Sequence, residues 1–175
     1  PSSIAEKQAQ NCGNKICATP VCLPTNPPPT GVNCWAGGHG VEDYDQDNDP
    51  ESFKTLGVTI FSQDYAQDKV KPWLLQDIVF EDEFFASLPD MDNNGLSDAG
   101  GDTCSGDSGS GLVCRRGNQL VVYGVNSWGS DCGKAGQPGV WANVYAAMDW
   151  IQETTGIQVR VIYTALAHNF VLQIR

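Results

Sequence analysis

Gly101-Asp-Thr-Cys-Ser-Gly-Asp-Ser-Gly-Ser-Gly111 is the most informative stretch of this 175-residue chain, with Ser127-Trp-Gly129 and Cys132 following it. A serine alone is a poor nucleophile. It becomes useful when a base takes its proton and when backbone N–H groups await the oxyanion that forms on the carbonyl it attacks. Gly106, two residues before Ser108, lets the backbone turn so that the N–H groups of Gly106 and Ser108 can converge. Loops rich in Gly, Asp and Ser are common, so the string decides nothing without its surroundings. The Gly-x-Ser-x-Gly elbow is not met, because Ser110 stands where its last glycine belongs.

Around this loop the composition is that of a globular chain: 41% hydrophobic, 18% charged, with 19 Gly and 10 Pro. The length fits one domain, or half of a larger two-lobed one. The net charge of −11 argues against a nucleic-acid partner, since that affinity rests on Lys and Arg neutralising phosphates. Seventeen of the 21 carboxylates lie between Glu42 and Asp107, so one part of the surface carries most of the field. No apolar run approaches the roughly 20 residues of a membrane span, and no membrane partner is expected. The chain opens at Pro1 without an initiator Met or a signal segment, so a missing N-terminal part is expected. Seven cysteines at these spacings do not read as zinc knuckles, and disulfides in an oxidising, secreted setting are the better reading. The odd count leaves one thiol that is either free or bonded to a segment outside this chain.

Residues 20–30 are a proline-rich connector, unsuited to a helix interior or a central strand. Beyond it, short apolar runs at 31–36, 56–61, 111–114, 119–125 and 139–144 are bounded by turn residues and predict strands of an all-β barrel or sandwich. Val144, Ala147, Met148 and Ile151 share one helical face, which predicts a helix over 144–152 capped by Asn143. A shorter helix is expected at 62–69. Residues 157–175 form an apolar tail without a turn signal: an added strand, a docking segment, or the product of another reading frame.

Five motifs in order, spread over residues 18–156, make this chain resemble the C-terminal barrel of the trypsin/chymotrypsin family of serine endopeptidases. Thr19-Pro-Val-Cys-Leu-Pro24 is similar to the connector into the second barrel, and Asn33-Cys-Trp-Ala-Gly-Gly-His-Gly40 to the family's Cys-x-x-x-Gly-Trp-Gly strand. Asp102-Thr-Cys-Ser-Gly-Asp-Ser-Gly109 matches the nucleophile loop. Val125-Asn-Ser-Trp-Gly-Ser130 resembles the strand that pairs with substrate, and Gln137-Pro-Gly-Val-Trp141 the pocket wall, with Trp150-Ile-Gln152 on the closing helix. The fold so implied is a Greek-key β-barrel with a C-terminal α-helix. Residues 1–17 would be a remnant of the inter-barrel segment and 157–175 an unmatched tail.

The resemblance implies Ser108 as nucleophile, and the N–H groups of Gly106 and Ser108 as oxyanion hole. It makes Asp107 the carboxylate that pairs with a newly cut N-terminus, and Asp102 the specificity residue that favours a substrate Arg or Lys. Ser127, Trp128, Gly129 and Gly139 would line the substrate site, and disulfides would join Cys104 to Cys132 and Cys34 to Cys114. No cofactor is implied. Departures are Ser110 and Gly111 for the usual Gly-Pro, His39 for tryptophan, Asn126 for an apolar residue, and Ala66 and Phe85 where the family has an extra bridge.

The first barrel is missing, and with it the family's Ala-His-Cys motif. Of the two histidines, His39 lies on the strand entering the barrel and His168 in the tail, while Ser3-Ile4-Ala5 is the nearest likeness to the family's Asp-Ile-Ala. The chain alone is therefore expected not to hydrolyse peptides at protease rates. It is either part of an active enzyme or a protease-like binding module. Asp90, Asp92, Asn94 and Asp98 have the spacing of a Ca²⁺ loop, but Gly101 stands where the bidentate Glu belongs, so a solvated acidic loop is the expectation and no metal is assigned. Residues 42–51 read as another solvated acidic face, where the family has a loop often nicked by proteases.

Overall fold

The computed structural model describes residues 20–41, 52–91, 97–98 and 100–157. Within them six antiparallel strands close into one barrel: β1 (Asn33–Gly38), β2 (Lys54–Ile60), β3 (Glu83–Ser87), β4 (Gly111–Arg116), β5 (Gln119–Trp128) and β6 (Gly139–Asn143). The order around the barrel is β1-β2-β3-β6-β5-β4, so two three-strand meanders meet at β3·β6 and at β1·β4. The expected Greek-key barrel is the observed fold.

Alternation along each strand produces the core. Cys34 and Ala36 of β1, Val58 and Ile60 of β2, Phe84 and Ala86 of β3, Leu112 and Cys114 of β4, Val121 and Tyr123 of β5, and Trp141 of β6 form one buried cluster. The intervening residues face outward, as Trp35 does between its two buried neighbours. Cys34 pairs directly with Cys114 across the β1·β4 seam, and a disulfide joins them. A second disulfide joins Cys104 to Cys132. The two bridges close intervals of 80 and 28 residues, worth about 4.5 and about 3.5 kcal/mol respectively through the unfolded state. Among the described residues Cys22 is unbridged; Cys12 and Cys17 lie outside them.

A second cluster lies outside the barrel wall. There Ala66 and Val70, in and just after α1 (Gln63–Lys69), and Leu74 of α2 (Pro72–Leu75) pack on Phe85 and Val140. Ser62 caps α1 by accepting the Tyr65 N–H at 3.1 Å, a contact worth about 1 kcal/mol. Ala66 and Phe85, where the resemblance puts the family's extra bridge, thus share one apolar cluster.

The differences from the sequence expectations are local. β3 and α2 are additional elements. Every residue of β3 after Glu83 is buried, because one face meets the barrel core and the other the helices, so no alternation marks it. The C-terminal helix, α3, spans Met148–Thr155 rather than 144–152. Asn143 does act as a cap, but of the turn before the helix: its Oδ1 accepts the N–H of Tyr145 at 3.0 Å and of Ala146 at 3.4 Å. Gly156 ends α3 in the left-handed conformation. No described helix is long and apolar enough to cross a membrane. The stretches 1–17, 42–51 and 158–175 lie outside the described residues.

Candidate active site

Ser108 sits at the tip of two consecutive tight turns. Asp107 N–H donates to Cys104 C=O and Ser110 N–H to Asp107 C=O, both at 3.0 Å. The third residue of each turn is a glycine with positive φ, Gly106 at 94° and Gly109 at 85°, as a type II turn demands. That is the local reason for glycines on both sides of Asp107-Ser108. The loop is tied to β5 by Gly109 N–H to Asn126 C=O at 2.9 Å and Asn126 N–H to Ser110 C=O at 2.8 Å. Cys104–Cys132 ties it to the opposite wall.

Asp107 is held beneath the turn. Its Oδ1 accepts the Gly40 N–H at 2.7 Å and its Oδ2 accepts the Cys104 N–H at 3.0 Å. A methyl group at Gly38 would overlap Asp107 Oδ1, and one at Gly40 would come within 2.6 Å of its carboxyl carbon. The glycines flanking His39 therefore make room for a half-buried acceptor. Ser108 is exposed, and among the described residues neither the Gly106 N–H nor the Ser108 N–H meets an acceptor and the Ser108 Oγ makes no hydrogen bond.

Asp102, Ser108, Ser127, Trp128, Gly129 and Gly139 line one cleft of about 140 Å³. The structure thus brings six residues named from the sequence into one place. Burial raises the Asp102 pKa to about 7, against the opposing pull of the N–H groups of Thr103 and Gly139 and of the Thr103 and Ser87 hydroxyls. Thr103 N–H reaches Asp102 Oδ1 at 2.7 Å, while Ser87 Oγ stands 3.5 Å from Oδ2. A Cβ at Gly139 would come within 2.9 Å of Asp102 Oδ1, so only glycine leaves the carboxyl its space. Desolvation outweighing these donors is the condition of a carboxyl that lacks a counter-charge. Asn126, 8% exposed, is satisfied through its Oδ1 by the Thr103 hydroxyl at 2.9 Å, which accounts for a polar residue beside the cleft.

The far wall is the end of β5. Its register with β6 shifts between Asn126 and Trp128, passing over Ser127, and its last partner in β4 is Gly111, opposite Val125. Among the described residues Ser127 and Trp128 at the end of β5, and Gly129 after it, therefore run beyond β4 without a partner strand on that side, the kind of edge to which an extended peptide can add. The Trp128 indole N–H donates to Glu83 Oε1 at 3.0 Å. A second cavity of about 330 Å³ lies behind the first, lined by Gly38, Gly40, Lys54, Asp102 and Asp107 among others.

Thr103, inside the nucleophile-loop motif but given no role there, lines the cleft, while Ser87 and Glu83, in no motif, reach it only through Asp102 and Trp128. Ser87 and Glu83 come from β3, some 20 residues upstream, and only strand pairing brings them here. His39 is exposed against Phe53, ring centroids 5.1 Å apart, and does not line the Ser108 cleft; His168 lies outside the described residues. Of the Ca²⁺-loop residues, Asp98 Oδ2 accepts the Met91 N–H at 3.0 Å, while Asp92 and Asn94 lie outside the described residues. Among the described residues no three His, Cys, Asp or Glu gather as metal ligands.

The trypsin family model matches residues 9–151. Coagulation factor XII of Rattus norvegicus is 37% identical over 143 residues, covering 78% of this chain and 22% of the relative. Serine protease 56 of Homo sapiens is 33% identical over 141 residues (78% and 21%), and kallikrein-8 of Homo sapiens 31% over 149 residues (82% and 48%). The chain spans less than half the length of these relatives. With the closed antiparallel barrel, its C-terminal helix and the turn that carries Ser108, this likeness shows that the chain belongs to the trypsin-like serine protease family.

Proposed function

We propose that the chain is the second half of a secreted trypsin-like endopeptidase that cleaves after Arg or Lys. The observation that carries this reading is the placement of a desolvated carboxyl, Asp102, and an exposed, unbonded Ser108 on one narrow cleft. A substrate Arg or Lys supplies the charge that Asp102 lacks. The peptide upstream of it adds to the Ser127–Gly129 edge as a strand. Ser108 Oγ then bonds to the scissile carbonyl carbon, the oxyanion is held by the N–H groups of Gly106 and Ser108, and the proton passes to a histidine. That histidine returns it to the leaving amine. The histidine and its orienting aspartate come from the first barrel, which this reading makes the essential partner. Asp107, facing the second cavity, takes the ammonium of a newly cut N-terminus.

Taken by itself, the chain binds basic ligands and does not turn them over. A titration with benzamidine tests the cleft. Since the ligand needs the ionised carboxyl, affinity falls about tenfold from pH 8 to pH 6 as Asp102 protonates through about 7, and Asp102→Asn abolishes both binding and pH dependence. Binding indifferent to pH and to Asp102→Asn would sink the proposal. A second reading, a protease-like binding module, is favoured by the absence of an imidazole from the Ser108 cleft among the described residues. Coding sequence for an upstream Ala-His-Cys decides against it.

A further inference from the structure

We infer that Glu83 is a positioning residue that sets the Trp128 indole as the wall for the peptide upstream of the basic residue. The inference rests on the reading of Ser127–Gly129 as the substrate strand and adds a residue that no motif contains. Trp128 needs an external support. It is the last residue of β5, it follows the register shift at Ser127, and β4 no longer accompanies it. Only Val140 of β6 pairs with its backbone.

Glu83 supplies that support from the first position of β3. Its Oε1 accepts the Trp128 indole N–H at 3.0 Å, and its Oε2 accepts the Val79 N–H at 3.2 Å. The Glu83 N–H in turn donates to Val79 C=O at 2.8 Å. The carboxylate is thus fixed to its own turn before it reaches the indole, so little freedom is lost in holding the ring. An ionised acceptor makes the stronger kind of hydrogen bond. Phe85, two residues along β3 and on the same face, belongs to the apolar cluster against which Trp128 packs. Packing on one side and one charge-assisted bond at the indole edge together define a single orientation of the ring. Glu83 does not line the Ser108 cleft, so it acts through Trp128.

The test uses the full chain and two probes: benzamidine, which fills only the Asp102 end, and an N-acetylated tripeptide amide ending in arginine, which also needs the strand edge. Glu83→Leu should weaken the tripeptide about tenfold and leave benzamidine within about twofold. Glu83→Gln keeps its size and one oxygen for the indole but sets its NH2 against the Val79 N–H and carries no charge, so it should recover only part of the loss. In a Trp128→Phe background, where the indole N–H is gone, Glu83→Leu should change neither ligand. A loss that persists in that background would be a plain charge effect and would overturn the inference, as would equal loss of both ligands or no loss of the tripeptide. If the unsubstituted chain binds neither probe, the proposed function fails and this inference with it; if benzamidine binds normally and the tripeptide is indifferent to Glu83, the inference alone fails.

Discussion

Asp102 shows what burial costs a single residue and what it leaves for a ligand to recover. Its pKa is raised from the ordinary carboxylate value of 3.8 to about 7, with desolvation as the first cause. The folded chain therefore holds this proton over a range in which the unfolded chain has released it. The stability linked to it is fully present below about pH 3.8 and is lost as pH rises through about 7. Asp102→Asn, which keeps an oxygen for the Thr103 N–H, should stabilise the free chain at pH 8 by about 1–3 kcal/mol and by progressively less towards pH 4. Chemical denaturation at the two pH values measures this, and a destabilised variant at pH 8 would contradict it. Ser108, Asp102 and Asp107 were legible in the sequence only because the short loop that carries them all resembles a family motif and stands in order with its neighbouring motifs. Glu83 and Ser87 were not, since nothing local distinguishes a carboxylate and a hydroxyl at the ends of an apolar strand.

Among the elements, β3 was the hardest to read and it does the most joining. Glu83-Phe-Phe-Ala-Ser87 lacks alternation because Phe84 and Ala86 fill the barrel while Phe85 fills the interface with α1 and α2. The strands around it were legible to within a few residues, because each has one face in the core and turn residues at its ends. The helix after β6 starts late for a reason of hydrogen bonding: Asn143 spends its side chain on the intervening turn. Phe85 is also fully buried in the apolar cluster it shares with Ala66, Val70, Leu74 and Val140. Phe85→Ala should therefore cost about 3–5 kcal/mol, the range for a fully buried aromatic, and should loosen α1 and α2 against the wall. Urea denaturation, with hydrogen exchange at residues 63–75, reads both effects; a cost below about 1 kcal/mol would mean that the cluster collapses onto the space.

On the scale of the whole molecule, the barrel is closed and the cleft is not. Six strands bury one continuous core among the described residues, whereas under the proposed function the Ser108 cleft takes its histidine from elsewhere. Closure rests partly on the bridge at the β1·β4 seam, which joins residue 34 to residue 114 across all of β2 and β3. The acidic run 42–51 falls inside that interval. A protease cut there, or at any bond between Cys34 and Cys114, leaves two polypeptides that remain one molecule. On a denaturing gel the nicked protein should migrate as a single band until a reductant is added, and then as two. Two bands without reductant would mean that the seam is not covalently shut. The same bridge that closes the sheet thus makes the interval between its cysteines one in which the chain can be severed without parting.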